Sequence, residues 1–125
     1  MVLLVDDNEY LSESFKDLLK ISHIDAVTVS NGREAINSCK TEDYSVIVTD
    51  LNMPEASGFD LVASLDQQNN SAKVIVYSGN MNESEKETLL SYKNVFAVHE
   101  KSDLIETLIV SVKKAEQLND ISRRC

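Results

Sequence analysis

Cysteine, proline and glycine are scarce in this chain: there are two cysteines, one proline and three glycines among 125 residues, and no tryptophan. Cys39 falls among apolar residues of a helical stretch and Cys125 is the last residue, so there is neither a disulfide framework nor metal-ligand spacing. The two histidines, His23 and His99, are isolated from each other and from the cysteines, and loop polarity and a strand position explain them better than metal binding does. No linker, repeat or low-complexity segment interrupts the chain, and no apolar run is long enough to span a membrane. The start, MVLLVDDNEY, places two acids where a signal peptide would continue its apolar stretch. It reads as a first strand, and the expected location is cytoplasmic. Basic residues are also few. With 12 of them against 21 acids the net charge is -9, which argues against direct nucleic-acid binding, because phosphate backbones demand a basic patch. The glycine-rich nucleotide loop GxxxxGK[ST] is absent from the sequence.

What is present is a regular alternation. Hydrophobic content of 42% and charged content of 26% are those of a globular chain, here of a length that makes one domain over 1–125. Val2–Val5 is a short apolar strand ending at Asp6 and Asp7, after which Leu11, Phe15, Leu18 and Leu19 share one face of a helix. Ala26–Val29 is the second strand; Ser30, Asn31 and Gly32 supply a turn and an N-cap; Ala35, Ile36 and Cys39 line the second helix. Ser45–Thr49 is a β-branched run suited to a strand buried on both faces, and it stops at Asp50. A helix over Phe59–Asp66 and a polar loop follow, then a strand over Val74–Tyr77 that ends at Ser78 and Gly79. The segment Asn80–Lys93 offers only Leu89, Leu90 and Tyr92 as anchors, so its helix should be the least firmly held. Phe96–Val98 is the fifth strand and ends near Lys101. The last helix carries Leu104, Ile105, Leu108, Ile109 and Val112 on one face and fades into a polar tail from about Asn119. Tyr77 and Phe96 read as packing residues.

Strands alternating with helices in this way imply an α/β fold: a single doubly wound five-stranded parallel sheet with helices on both faces. The flavodoxin-like order 2-1-3-4-5 common to such sheets puts Asp6 and Asp7 beside Asp50, with Ser78 on the next strand and Lys101 beyond it. Alone, an Asp at a strand end can simply cap a turn. Together, three converging carboxylates repel one another at a cost in stability unless a cation joins them, and hard oxygen ligands suit Mg2+. The hydroxyl of Ser78 and the ammonium of Lys101 match the needs of a phosphoryl group. No histidine or cysteine is placed as a nucleophile, so attack by a carboxylate, with Asp50 the best candidate, is the simplest chemistry.

These residues, in this order and each at a strand end, resemble the response-regulator receiver domain of two-component signalling, along the chain from Val2 to about Leu118. The acidic pair Asp6 and Asp7, Asp50, the following Asn52, Met53, Pro54 and Gly58, then Ser78 and Lys101 each match that family's pattern. The resemblance implies a stoichiometric phosphoacceptor rather than an enzyme acting on an external substrate. It takes a phosphoryl group from a phosphohistidine on a histidine kinase or histidine phosphotransfer protein onto Asp50 and thereby changes partner binding. It also implies that Asp6, Asp7, Asp50 and the backbone carbonyl of Asn52 hold Mg2+, while Ser78 and Lys101 bind the phosphoryl oxygens.

Three positions depart from the pattern. Val98 stands where an aromatic switch residue is usual, Ser102 where proline commonly follows the lysine, and Ser78 where threonine is commoner. The chemistry is expected to be intact and the readout altered. Valine has a restricted χ1 and cannot sweep as an aromatic ring does, so the signal is expected to travel through the weakly anchored segment Asn80–Lys93. Plainer readings stand beside these: Asp6 and Asp7 as a solvated turn, Lys101 as a partner for Glu100. Two other classes remain, a Mg2+-dependent phosphohydrolase, for which short loops leave little room, and a receiver-like binding module that no longer uses phosphorylation.

Overall fold

Each short apolar run becomes a strand because its residues lose water on both faces of the sheet. Val2–Val5 (β1) and Val46–Asp50 (β3) are buried at every position, and Lys73–Ser78 (β4) at all but its first. The structure, a computed structural model, describes residues 1–51, 56–79, 81–100 and 105–124, with the side chains of 105 and 119–124 excepted. Its other elements are Glu9–Ile21 (α1), Ala26–Val29 (β2), Gly32–Thr41 (α2), Gly58–Gln67 (α3), Glu83–Leu90 (α4), Val95–Glu100 (β5) and Ile105–Arg124 (α5). The strands form one sheet in the order β2-β1-β3-β4-β5 with every neighbouring pair parallel. The expected doubly wound topology is therefore present.

Side-chain alternation divides the core in two. Leu3, Val5, Ile47, Val74 and Val76 meet Ala35 and Cys39 of α2, Leu61, Val62 and Leu65 of α3, and Leu89 of α4. On the opposite face, Val2, Leu4, Val46, Val48, Ile75 and Tyr77 meet Phe15 and Leu19 of α1 with Leu108, Val112 and Ala115 of α5. Cys39 is a packing residue, its thiol pushed up to about 11 by burial and so protonated at neutral pH. Among the described residues no helix is long and apolar enough to cross a membrane.

The helices α1, α2, α3 and α4 are started by polar caps. Asn8 accepts from the Leu11 N–H at 3.1 Å and Asn31 from the Glu34 N–H at 2.8 Å. Ser57 with Asp60, and Asn82 with Glu85, form reciprocal capping boxes. A cap is worth about 1 kcal/mol to the helix it starts.

Three stretches differ from the sequence expectation. In the segment 81–93 only Leu89 is fully buried; Leu90, expected as an anchor, is 49% exposed, while Met81 and Tyr92 pack in part against the core. Adjacent helical residues project about 100° apart, so on a helix touching the sheet along one line only one of two leucines reaches inward. The fifth strand is longer than Phe96–Val98, because parallel pairing to β4 continues through His99 and Glu100 despite their polarity. A register irregularity where Val74 pairs with Val95 and Ile75 with Ala97 leaves Phe96 as an extra residue. The last helix continues through Arg124, past the polar tail expected from about 119, its turns closed by backbone hydrogen bonds that need no apolar face.

Gly58 seats the loop after β3. A Cβ there would lie 2.8 Å from the Asp50 carbonyl oxygen and 2.9 Å from the Leu51 Cα, both backbone atoms that cannot swing aside. Gly58→Ala is expected to cost about 1–3 kcal/mol, the usual range for an overpacked site, visible as a lower urea midpoint with an unchanged slope. An unchanged midpoint would contradict this account of the loop.

Candidate functional site

The carboxyl ends of the central strands gather the acids. Val5 of β1 is in register with Thr49 of β3, so Asp6 and Asp50 follow at neighbouring tips; Asp50 in turn pairs with Tyr77 of β4, and Tyr77 with His99 of β5. One row of residues thus crosses the sheet at the crevice where ligands of open α/β sheets bind.

Asp6, one residue beyond β1, is 2% exposed and Asp50 3%, whereas Asp7, the next residue of that loop, is exposed. One carboxylate oxygen from each of Asp6, Asp7 and Asp50 lies within 4.8 Å of the others, the only such cluster of potential metal ligands among the described residues. That spacing lets one cation touch all three. Hard carboxylate oxygens, those of Asp50 on β3 and of Asp6 just beyond β1 being buried, suit Mg2+, so the residues present fit the ion that the resemblance implies.

Asp6 is held from both of its oxygens. The Asn8 N–H donates to Oδ1 at 2.8 Å, and the Tyr77 hydroxyl donates to Oδ2. Burial, then the hydrogen bond to Asp6, then the negative charges of Asp6, Asp50 and Asp7 raise the proton affinity of the Tyr77 phenol far above its ordinary value. The phenol therefore stays protonated and acts as a donor. At the tip of β3, Thr49 Oγ1 donates to the Asp50 carbonyl at 2.8 Å and Gly58 N–H to the Leu51 carbonyl at 2.9 Å, closing the loop back onto the strand.

Ser78 ends β4 and is wholly buried. Lys101 and Asn52 lie outside the described residues, as do Met53, Pro54, Ser102, Asp103 and Leu104. Val98 is half-buried and packs with the α2, α3 and α4 core, on the opposite side of β5 from His99, whose Nε2 is 2.8 Å from Ser111 Oγ of α5. His23 occupies a turn after α1 with a positive φ of 63°, its N–H donating to the Lys20 carbonyl at 2.9 Å. Both histidines have structural settings.

A cavity of about 320 Å³ opens on the α1 side of Asp6, lined by Glu9, Glu13, Ser30 and Glu34 among others. Carboxylates on its walls would repel a phosphoryl dianion, so this hollow is not where such a group would sit.

Tyr77 is the residue whose contribution the sequence reading missed. It does pack, at 8% exposure in the α1–α5 core, but its hydroxyl also reaches the acid cluster. The clue was its place immediately before Ser78: strand alternation opposes the two side chains, turning Tyr77 toward the face shared with Leu4 and Val48.

The sequence matches the family described as response regulator receiver domain over residues 2–116. The cell cycle response regulator CtrA of Brucella ovis is 31% identical over 78 residues, covering 62% of this chain and 34% of that protein. The match thus spans about a third of the length of such curated relatives. Among solved structures, the receiver domain of the Francisella response regulator 1452 superposes with a TM-score of 0.86 at 28% identity, covering 93% of this chain and 95% of that one. A response regulator receiver protein from Pseudomonas putida gives 0.84 at 29% identity, covering 90% and 94%.

Proposed function

Because the chain belongs to the response regulator receiver domain family, we propose that it is a phosphoacceptor switch that takes a phosphoryl group onto Asp50 from a phosphohistidine of a histidine kinase or histidine phosphotransfer protein. The observation that carries this reading is the convergence of Asp6, Asp7 and Asp50 within 4.8 Å beside the end of β4. A carboxylate oxygen of Asp50 attacks phosphorus as the phosphorus–nitrogen bond of the donor breaks, and the leaving imidazole departs as neutral histidine once its ring nitrogens carry one proton between them. Asp6, Asp7, Asp50 and the Asn52 backbone carbonyl would hold Mg2+, which when bound would offset negative charge on the phosphoryl oxygens and the carboxylates. Ser78 donates its hydroxyl to one phosphoryl oxygen, and Lys101 supplies a positive charge to another.

The readout passes through the β4–α4 connection. Val98 is short and stiff at χ1, so the displacement that follows phosphorylation is carried by Ser78 and Gly79 into residues 81–93, where Leu89 alone is fully buried. That movement alters the surface offered to partners.

Incubation with Mg2+ and a small acyl-phosphate donor should add one phosphoryl group by intact mass, and chelator should prevent it. Hydrogen exchange on the modified protein should change within 81–93. Absence of any mass gain, or a gain indifferent to chelator, would overturn the phosphoacceptor reading; exchange altered only around Phe96–Val98 would overturn the route.

A further inference from the structure

Resting on the metal-binding part of that reading, we propose that Tyr77 is a positioning residue for Mg2+ binding: its hydroxyl, donated to Asp6 Oδ2, sets the carboxylate of Asp6 in the orientation the cation requires. The torsion that turns a carboxylate about its Cβ–Cγ bond is broad, so an aspartate without partners presents its oxygens over a wide arc. Asp6 is fixed at both ends of that rotor, by the Asn8 N–H on Oδ1 and by Tyr77 on Oδ2. Each oxygen has a second lone pair, so neither bond uses up the site's capacity for a cation.

Tyr77 is itself held by strand pairing on both sides and by burial. Its backbone pairs with Asp50 on one side and His99 on the other, and its ring is buried in the cluster of Leu4, Val48, Ile75, Leu108 and Val112. The donor is thus placed by the sheet and by α5 together, whereas Asp7 lies exposed in the loop. Mg2+ demands near-ideal octahedral geometry and tolerates misplaced ligands poorly, so a preset oxygen on Asp6 is worth most to this ion. Removing an outer hydrogen-bond partner of a metal ligand typically costs about 10–100-fold in affinity.

The test is isothermal titration with Mg2+ of wild type, Tyr77→Phe and Leu108→Ala, the last weakening the same cluster while keeping the hydroxyl. Tyr77→Phe should bind at least about tenfold more weakly, and Leu108→Ala like wild type. Acyl-phosphate uptake by Tyr77→Phe should be slow at low Mg2+ and recover toward the wild-type rate at saturation. Equal or tighter binding by Tyr77→Phe, or a loss that Leu108→Ala reproduces, overturns the proposal while leaving the phosphoacceptor reading intact. Wild type that binds no Mg2+ overturns both. Should Tyr77→Phe fail to fold, wild type labelled with 13C at tyrosine Cζ decides: the Tyr77 resonance shifts in step with Mg2+ occupancy, or stays in place and refutes the idea.

Discussion

Asp50→Asn should lose phosphoryl uptake altogether while remaining folded. The substitution keeps the size and shape of a side chain that is 3% exposed at the tip of the central strand, and it removes one negative charge from a cluster of three. The amide is a poor nucleophile because its nitrogen lone pair is delocalised, so no route to an acyl phosphate remains at that position. Relief of repulsion should leave the variant at least as stable as wild type in chelator. Intact mass after incubation with Mg2+ and an acyl phosphate reads the result. Quantitative labelling of Asp50→Asn would show that another side chain accepts the group.

Mg2+ is expected to be the largest single contribution to stability that can be added or withdrawn. Its expected site is the native cluster of Asp6, Asp7 and Asp50, which an unfolded chain does not assemble. At a concentration about a hundred times the dissociation constant, linkage gives about 2.7 kcal/mol, or a rise of roughly 10 °C in Tm for a domain of this size. Asp7→Ala should abolish that dependence. Asp7 is exposed, so its loss removes the proposed ligand without opening a cavity, and the variant in chelator should melt close to wild type in chelator. Equal melting temperatures for wild type with Mg2+ and with chelator would contradict a metal site here.

Sequence and structure agree where burial decides the conformation. The third strand was legible because Val46, Ile47 and Val48 form a short β-branched run, which suits a strand covered on both faces, and all three are buried. The acid cluster followed once strand order was granted, since Asp6 and Asp50 stand at matching ends. Legibility failed where polar residues extend an element by backbone pairing alone, as at His99 and Glu100 in β5 and beyond Leu118 in α5. It failed again at Leu90, because composition does not say which of two adjacent leucines faces the sheet. Tyr77 was half legible: its ring predicts packing, but only register and the reach of its hydroxyl bring it to Asp6.

Borohydride reduces an acyl phosphate to the alcohol, converting a phosphorylated aspartate to homoserine. Fragmentation mass spectrometry of the phosphorylated, reduced protein therefore reads the acceptor directly, with no substitution involved. Homoserine at position 50 and nowhere else is the expected result; homoserine at position 6 or 7, or a phosphoryl group retained on Ser78 or another hydroxyl, would contradict the assignment of Asp50.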